Sequence, residues 1–285
     1  PRPAETGPLD SVLDALLDLA PRAARRRIRV ALELDVSFTP LPGVRFGALR
    51  SPVHTPAEAV ALAREVLARP RLELVGMMAY EGHIAGVTDA ARTPYAAAVR
   101  AMKRLSRPDV AARRAEAVAA VREVAELEFV NGGGTGSIES TAAEEAVTEI
   151  AAGSGLIGPG LFDRYRGFSP QSALLLGAGV VRRPAPGVAT LLGGGWIASG
   201  VPGSDRLPTI AHPPGLSYAP QEAAGEVQTP VLGAAAEQLR VGDTVWLRHA
   251  KAGEPAEHFA SYLLVQGDRT VGIHPTYRGE GAIFL

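Results

Sequence analysis

The run Val130-Asn131-Gly132-Gly133-Gly134-Thr135-Gly136-Ser137 follows the apolar residues 127–130, and a second run, Gly153-Ser154-Gly155-Leu156-Ile157-Gly158, follows residues 147–152. Each reads as a loop leaving the end of a strand. Thr141-Ala142-Ala143-Glu144 spells a capping box, which predicts a helix over 141–146. Glycine lets backbone N–H groups approach an anion, and a helix N-terminus adds partial positive charge. Two such loops on neighbouring strands would form a cup for a phosphate. A pair of tight turns is the competing reading. The second run also matches G-x-G-x-x-G, but Pro159-Gly160 stands where a dinucleotide-binding helix should continue, and residues 171–181 hold no acid for a ribose. The expectation is therefore a phosphorylated cofactor that is not a dinucleotide.

Strand and helix signals alternate on the N-terminal side. Residues 8–24 place Leu9, Val12, Leu13, Leu16, Leu17 and Leu19 at helical spacing, and residues 28–35 form an aliphatic strand. Thr55-Pro56-Ala57-Glu58 opens a helix that ends before Pro70. A strand over 72–80 leads into Glu81-Gly82-His83, and an Ala- and Arg-rich helix spans about 93–125, with Pro108 as its expected break. Strand 127–130, helix 141–146 and strand 147–152 complete a series of parallel βα units. After Pro159-Gly160 helical periodicity disappears. Short apolar runs at 173–181, 188–192, 244–247, 262–265 and 271–273 predict an antiparallel β domain. The chain thus divides into an α/β domain, 1–168, and a β domain, 169–285.

Composition narrows the function. Of 285 residues, 46% are apolar, ample for a core, and a net charge of −1 gives no reason to expect nucleic acid or an anionic membrane. No apolar stretch is long enough to span a bilayer. Without cysteine there is no disulfide framework and no thiolate metal site. Lysine is scarce: Lys103 and Lys251 are the only two.

Taken in order, these segments resemble the fold-type III pyridoxal-phosphate enzymes, above all the D-threonine aldolase and D-serine dehydratase-like group, with alanine racemase as a further member. That family joins a (β/α)8 barrel to a C-terminal β domain, with the cofactor at the barrel mouth. Leu34-Asp35 with Arg45-Phe46-Gly47 is similar to the fifth barrel strand, which implies that Arg45 approaches the cofactor's phenolic oxygen. Residues 76–83 (GMMAYEGH) are similar to the sixth, which implies that Tyr80 flanks the ring. Gly133-Gly134-Thr135 is similar to the phosphate-binding segment of the seventh, and residues 149–154 to the eighth. Gly133, Gly134, Thr135, Gly153 and Ser154 would then hold the phosphate. The implied fold is the C-terminal half of a (β/α)8 barrel, strands five to eight, followed by an antiparallel β domain. The family's Schiff-base lysine belongs to the first strand, which these four do not include. Lys103 reads as a solvated helix lysine, and Lys251 lies in the β domain. At about 30 residues per βα unit, roughly 100–120 residues are expected upstream, and the chain reads as a truncated copy of a longer enzyme.

Residues 239–253 (LRVGDTVWLRHAKAG) are similar to the group's strand that leads into a His-x-Cys or His-x-Asp metal site. Here the equivalent is His249-Ala250-Lys251, and a protonated ammonium has no lone pair to give a metal. No metal is expected. Lys251 would replace its charge beside the substrate's β-oxygen, with His249 as the acid–base group. The competing reading makes both residues surface groups on one strand face, since i and i+2 share a side. His54, His212 and His274 sit beside prolines and read as structural or solvated, whereas the barrel that the resemblance implies would turn His83 toward its mouth. The resemblance implies a lyase for D-3-hydroxy amino acids, acting by aldol cleavage or dehydration. It further implies a small amino-acid substrate, a cytoplasmic location and a homodimer in the intact parent. The alternatives are an amino-acid racemase, for whose tyrosine Tyr165 is the nearest match, and a non-catalytic cofactor-binding fragment.

Overall fold

The computed structural model describes Leu13, Asp14, Leu17 and residues 27–282, which fall into two compact units, 1–153 and 154–285. The division lies earlier than the 168/169 boundary read from composition. Its cause is local: Gly160 and Leu161 donate their N–H groups to the carbonyls of His249 and Ala250, which ties the segment after Pro159 to the second unit.

The first unit carries a four-stranded parallel sheet in the order β1-β4-β5-β6: β1 Ile28–Glu33, β4 Leu72–Ala79, β5 Phe129–Gly132 and β6 Glu149–Ile150. A separate hairpin, β2 Phe38–Leu41 and β3 Val44–Phe46, stands beyond the end of β1. β4 reads LELVGMMA and is buried at six of its eight positions, with Leu72, Leu74, Met77 and Ala79 in the core and Glu73 and Met78 exposed. Gly76 of β4 lies opposite Phe129 of β5, and a Cβ there would sit 2.5 Å from the phenyl ring.

Two helices cover this sheet. The helix Pro56–Leu67 starts where the sequence places it: Thr55 accepts from the Glu58 N–H at 3.2 Å, and the Glu58 carboxylate accepts from Thr55 at 3.0 Å. Its buried face is Ala59, Ala63 and Val66. The helix Pro94–Arg122 is capped by Thr93 and runs through Pro108 without a break. Buried Ser106 and Val110 flank that proline, so packing holds the turn that proline alone would open. Lys103 lies on the same buried face. It is 3% exposed, and its ammonium donates to the Val87 carbonyl at 2.6 Å and to Asp89 at 3.1 Å, so the expectation of a solvated lysine is corrected. The core gathers Leu32, Leu34, Met77, Val110, Val118 and Val130. The helix expected over 8–24 lies largely outside the described residues, though Leu13 belongs to this core and Leu17 packs on it.

The second unit is antiparallel, as its texture predicts. Six strands run in the order β10-β11-β8-β7-β12-β9: β7 Leu176–Ala185, β8 Val188–Leu192, β9 Thr209–His212, β10 Ser217–Tyr218, β11 Gln228–Leu232 and β12 Thr244–Arg248. Leu176, Ala178, Val180, Val245 and Leu247 alternate into a core with Leu191 and Val231. A separate hairpin, β13 Ser261–Gln266 and β14 Arg269–Pro275, exposes Leu263, Val265, Val271 and Ile273.

Candidate active-site residues

β4 ends at Ala79, and the next two residues serve the glycine loop from different sides. Tyr80 is half-buried. Its ring lies beside Gly134, and the Arg50 guanidinium carbon stands 5.3 Å from the ring centroid. Glu81 is 2% exposed and accepts four hydrogen bonds. Its Oε2 takes the Arg114 Nη2 at 2.5 Å and the Gly133 N–H at 3.0 Å, while Oε1 takes the hydroxyls of Ser137 at 2.8 Å and Thr141 at 2.5 Å. Arg114 is fully buried and also donates to the Ala79 carbonyl at 2.8 Å and to Glu144. Burial alone would raise the Glu81 carboxyl. The Arg114 charge and the two hydroxyls outweigh it and hold Glu81 below the usual carboxylate range. At Glu144 burial prevails over Arg114, and the carboxyl is pushed up.

This network shapes the loop. Gly133 adopts φ of +73°, and a Cβ there would approach Thr141 Oγ1 to 3.0 Å. At Gly134 a Cβ would meet Ala85 at 3.0 Å and the Tyr80 ring at 3.1 Å. Gly133 gives its N–H to Glu81, and Gly134 gives its own to Ser137 Oγ at 3.1 Å. The glycines thus admit close neighbours, and two amides of the expected phosphate cup already have internal acceptors. Gly133, Gly134 and Thr135 are all buried. The capping-box expectation at Thr141 is overturned: the helix is Ile138–Ala142, with Thr141 inside it, because Thr141 and Glu144 are committed to Glu81 and Arg114. Gly153 is exposed at the end of the first unit, and half-buried Ser154 begins the second.

Arg45 extends from β3, donates to Asp35 Oδ2 at 3.0 Å and lies against the His54 ring, with its Nη2 2.8 Å from Nδ1. His54, read from the sequence as structural, is therefore a neighbour of a candidate site arginine. His83 is 4% exposed, and neither ring nitrogen has a partner among the described residues.

In the second unit His249 follows directly on β12 and is fully buried, which overturns the reading of a surface histidine. Its Nδ1 lies 3.1 Å from the Leu174 carbonyl, while Nε2 has no partner among the described residues. Burial depresses its pKa to about 4, so the imidazole is neutral at neutral pH. Lys251 is half-buried and donates to the Ser199 carbonyl at 3.2 Å and to its hydroxyl at 3.0 Å. Glu254 is buried and accepts the Lys251 N–H on Oε1 at 2.7 Å, and its Oε2 has no partner among the described residues; burial raises its pKa. Among the described residues no three His, Asp or Glu side chains form a metal-binding group. No described helix is long and apolar enough to cross a membrane.

Sequence reasoning missed Arg114 and the joint role of Glu81 and Glu144. One signal was available. Lys103, Ser106, Val110, Arg114, Ala117 and Val121 recur at spacings of three and four, and a cation on an apolar stripe needs a buried partner.

No protein-family model and no curated protein matches the chain. Solved structures do. D-threonine aldolase from Filomicrobium marinum superposes with a TM-score of 0.69 at 21% identity, over 89% of this chain and 64% of that one. D-threo-3-hydroxyaspartate dehydratase from Delftia sp. HT23 gives 0.62 at 16% identity, over 94% and 69%. Alanine racemase from Bacillus anthracis, solved with bound L-Ala-P, gives 0.52 at 13%, over 95% and 72%. The chain spans just under two thirds of the aldolase's length. A parallel α/β unit followed by an antiparallel β unit, superposing on all three, means that this chain has the alanine racemase-like fold its sequence resembles.

Proposed function

We propose that this chain forms the larger part of a pyridoxal-phosphate-dependent lyase that acts on D-3-hydroxy amino acids, by aldol cleavage or by loss of water. The observation that carries this reading is the fold shared with an aldolase and a dehydratase, whose names both specify a D-3-hydroxy amino acid. In this reading the four parallel strands stand for the fifth to eighth strands of a (β/α)8 barrel.

The residues fit the cofactor in part. Thr135, Gly153 and Ser154 would hold its phosphate, with Gly133 and Gly134 giving close backbone approach rather than amide hydrogen bonds. Tyr80 would flank the ring, and Arg45, oriented by Asp35, would meet the phenolic oxygen. The cofactor supplies an electron sink when bound. Lys103 does not fit the covalent linkage, because it is buried against Asp89. His249, neutral and with no partner for Nε2 among the described residues, would accept a proton or hydrogen bond from the substrate's β-hydroxyl, and Lys251 would supply positive charge. The racemase alternative is weaker, because Tyr165 is buried and packs on Phe162 with ring centroids 5.2 Å apart.

Equilibrium dialysis of the chain with pyridoxal phosphate, followed by visible absorbance, tests the reading. Saturable, borohydride-insensitive binding that is weakened by Thr135→Val is the expected result. Absence of saturable binding overturns it. A borohydride-reducible band lost in Lys251→Ala would instead move the linkage to Lys251. Turnover of D-threonine by the enzyme that contains this chain separates the two chemistries, since cleavage releases an aldehyde and dehydration releases ammonia.

A further inference from the structure

We propose that the β unit carries a site for a small organic cation, in the cleft between β12 and the turn Ala234–Glu237. The cleft has a volume of about 740 Å³, within the range of small-molecule sites, and its walls include His212, Pro213, Gln238, Asp243 and Trp246. Trp246 alternates with the core residues Val245 and Leu247, so it lies on the outer face of β12, where it is 41% exposed. Its six-membered ring reaches over Gly177 of β7, where a Cβ would stand 3.4 Å from Cζ3. Glycine at 177 lets the indole settle on the sheet. The facing wall is fixed as well. Gly233 donates its N–H to the Gly187 carbonyl at 3.1 Å and approaches Gly215 so closely that a Cβ on it would overlap the Gly215 carbonyl oxygen. That contact ties the segment 212–215 to the turn, so the cleft is formed before any ligand arrives.

The charged and aromatic groups choose the ligand. Asp243 is the one carboxylate among the described residues that line the cleft. Its Oδ2 accepts the Arg240 backbone N–H at 2.7 Å, and its own N–H returns to the Arg240 carbonyl at 3.1 Å, so the turn 240–243 holds the carboxylate in place. Among the described residues Oδ1 has no hydrogen-bond partner, and no cationic side chain pairs with Asp243. An ionised carboxylate only accepts, so it selects a ligand that donates. An indole face attracts positive charge through its quadrupole. The described lining holds neither Lys nor Arg, so nothing there would recruit an anion. One carboxylate supplies too few ligands for a bare metal ion. An ammonium or guanidinium head beside Asp243, with its apolar part against Trp246 and Pro213, satisfies all of these. His212, opposite Trp246 in the antiparallel pair, adds a second flat wall.

NMR spectra of the isotope-labelled 285-residue chain, whose two tryptophans give two indole N–H signals, test this site when benzylamine is titrated against benzyl alcohol and benzoate. Loss of one signal in Trp246→Leu assigns it. The expected result is saturable movement of the Trp246 signal by benzylamine, with Trp196 unmoved. Asp243→Asn keeps an oxygen for the Arg240 N–H and loses the charge, and it should weaken benzylamine about threefold. Trp246→Leu, followed at the Thr244 amide, should weaken it by a similar factor. No saturable movement of the Trp246 signal, or an affinity unchanged in both variants, overturns the proposal. Benzyl alcohol or benzoate binding as tightly as benzylamine overturns the cation assignment. A blocked lysine tripeptide binding more tightly than benzylamine overturns the free cation in favour of a protein's side chain. The residues involved all belong to the β unit and pyridoxal phosphate is absent throughout, so the outcome is independent of the cofactor reading.

Discussion

Two buried polar clusters, one in each unit, are built on opposite plans. Around Glu81 both carboxylate oxygens are engaged, by a guanidinium, two hydroxyls and a backbone amide, although Arg114 Nε has no partner among the described residues. Around His249 the partners run out: Nε2 of the histidine and Oε2 of Glu254 are buried without any among the described residues. Satisfied polar atoms fix a shape, and unsatisfied ones keep the capacity to bind or exchange a proton. The contrast predicts that substitutions in the first cluster read out mainly as stability, and those in the second mainly as chemistry.

Arg114→Ala should be the most damaging single change. It leaves Glu81 and Glu144 buried without their cation, at a cost of about 3–5 kcal/mol by urea denaturation. A loss below about 1 kcal/mol would mean that Glu81 holds the loop without Arg114. Gly133→Ala comes next, at about 2 kcal/mol, because it combines a left-handed φ with a contact on Thr141. An unchanged denaturation midpoint would show that the loop relaxes freely.

The third test turns to the open cluster. His249 titrates near 4 in the folded chain, against 6.5 in the unfolded one, so between those values only the unfolded state holds the proton. The stabilising contribution of neutral His249 is complete above 6.5 and is lost as pH falls toward 4. His249→Asn should remove on the order of 2 kcal/mol of that dependence, measured as the difference in stability between pH 7 and pH 4. Identical pH profiles for the two proteins would place the histidine in water. The smallest effect belongs to Glu254→Gln. With a carboxyl already raised by burial, removing its charge should change stability at pH 7 by less than about 0.5 kcal/mol. A large loss would reveal a cationic partner for Oε2.

Features written in local chemistry were legible from the chain. The Thr55 cap, the alternation of strand and helix through β5, and the period-two strands after Pro159 depend on neighbours a few residues apart. The errors came where one residue type serves two purposes. Thr141 and Glu144 have the spacing of a cap, but a carboxylate 60 positions earlier and a guanidinium 30 positions earlier claim them. Lys103 was misread for the same reason, since Asp89 and the Val87 carbonyl turn a surface residue type into a buried one. At the candidate site, the glycines were visible as glycines. The inward-facing amide of Gly133 was not, because its orientation depends on Glu81 across the sheet.

The contact between Gly76 and Phe129 limits how these strands can drift over time. With only 2.5 Å between a notional Cβ and the phenyl ring, neither position can enlarge alone without moving β5 and the loop at its end. Relatives that lose the glycine should carry a smaller residue in place of the phenylalanine. The two positions would then be inherited as a pair, like a key cut together with its lock.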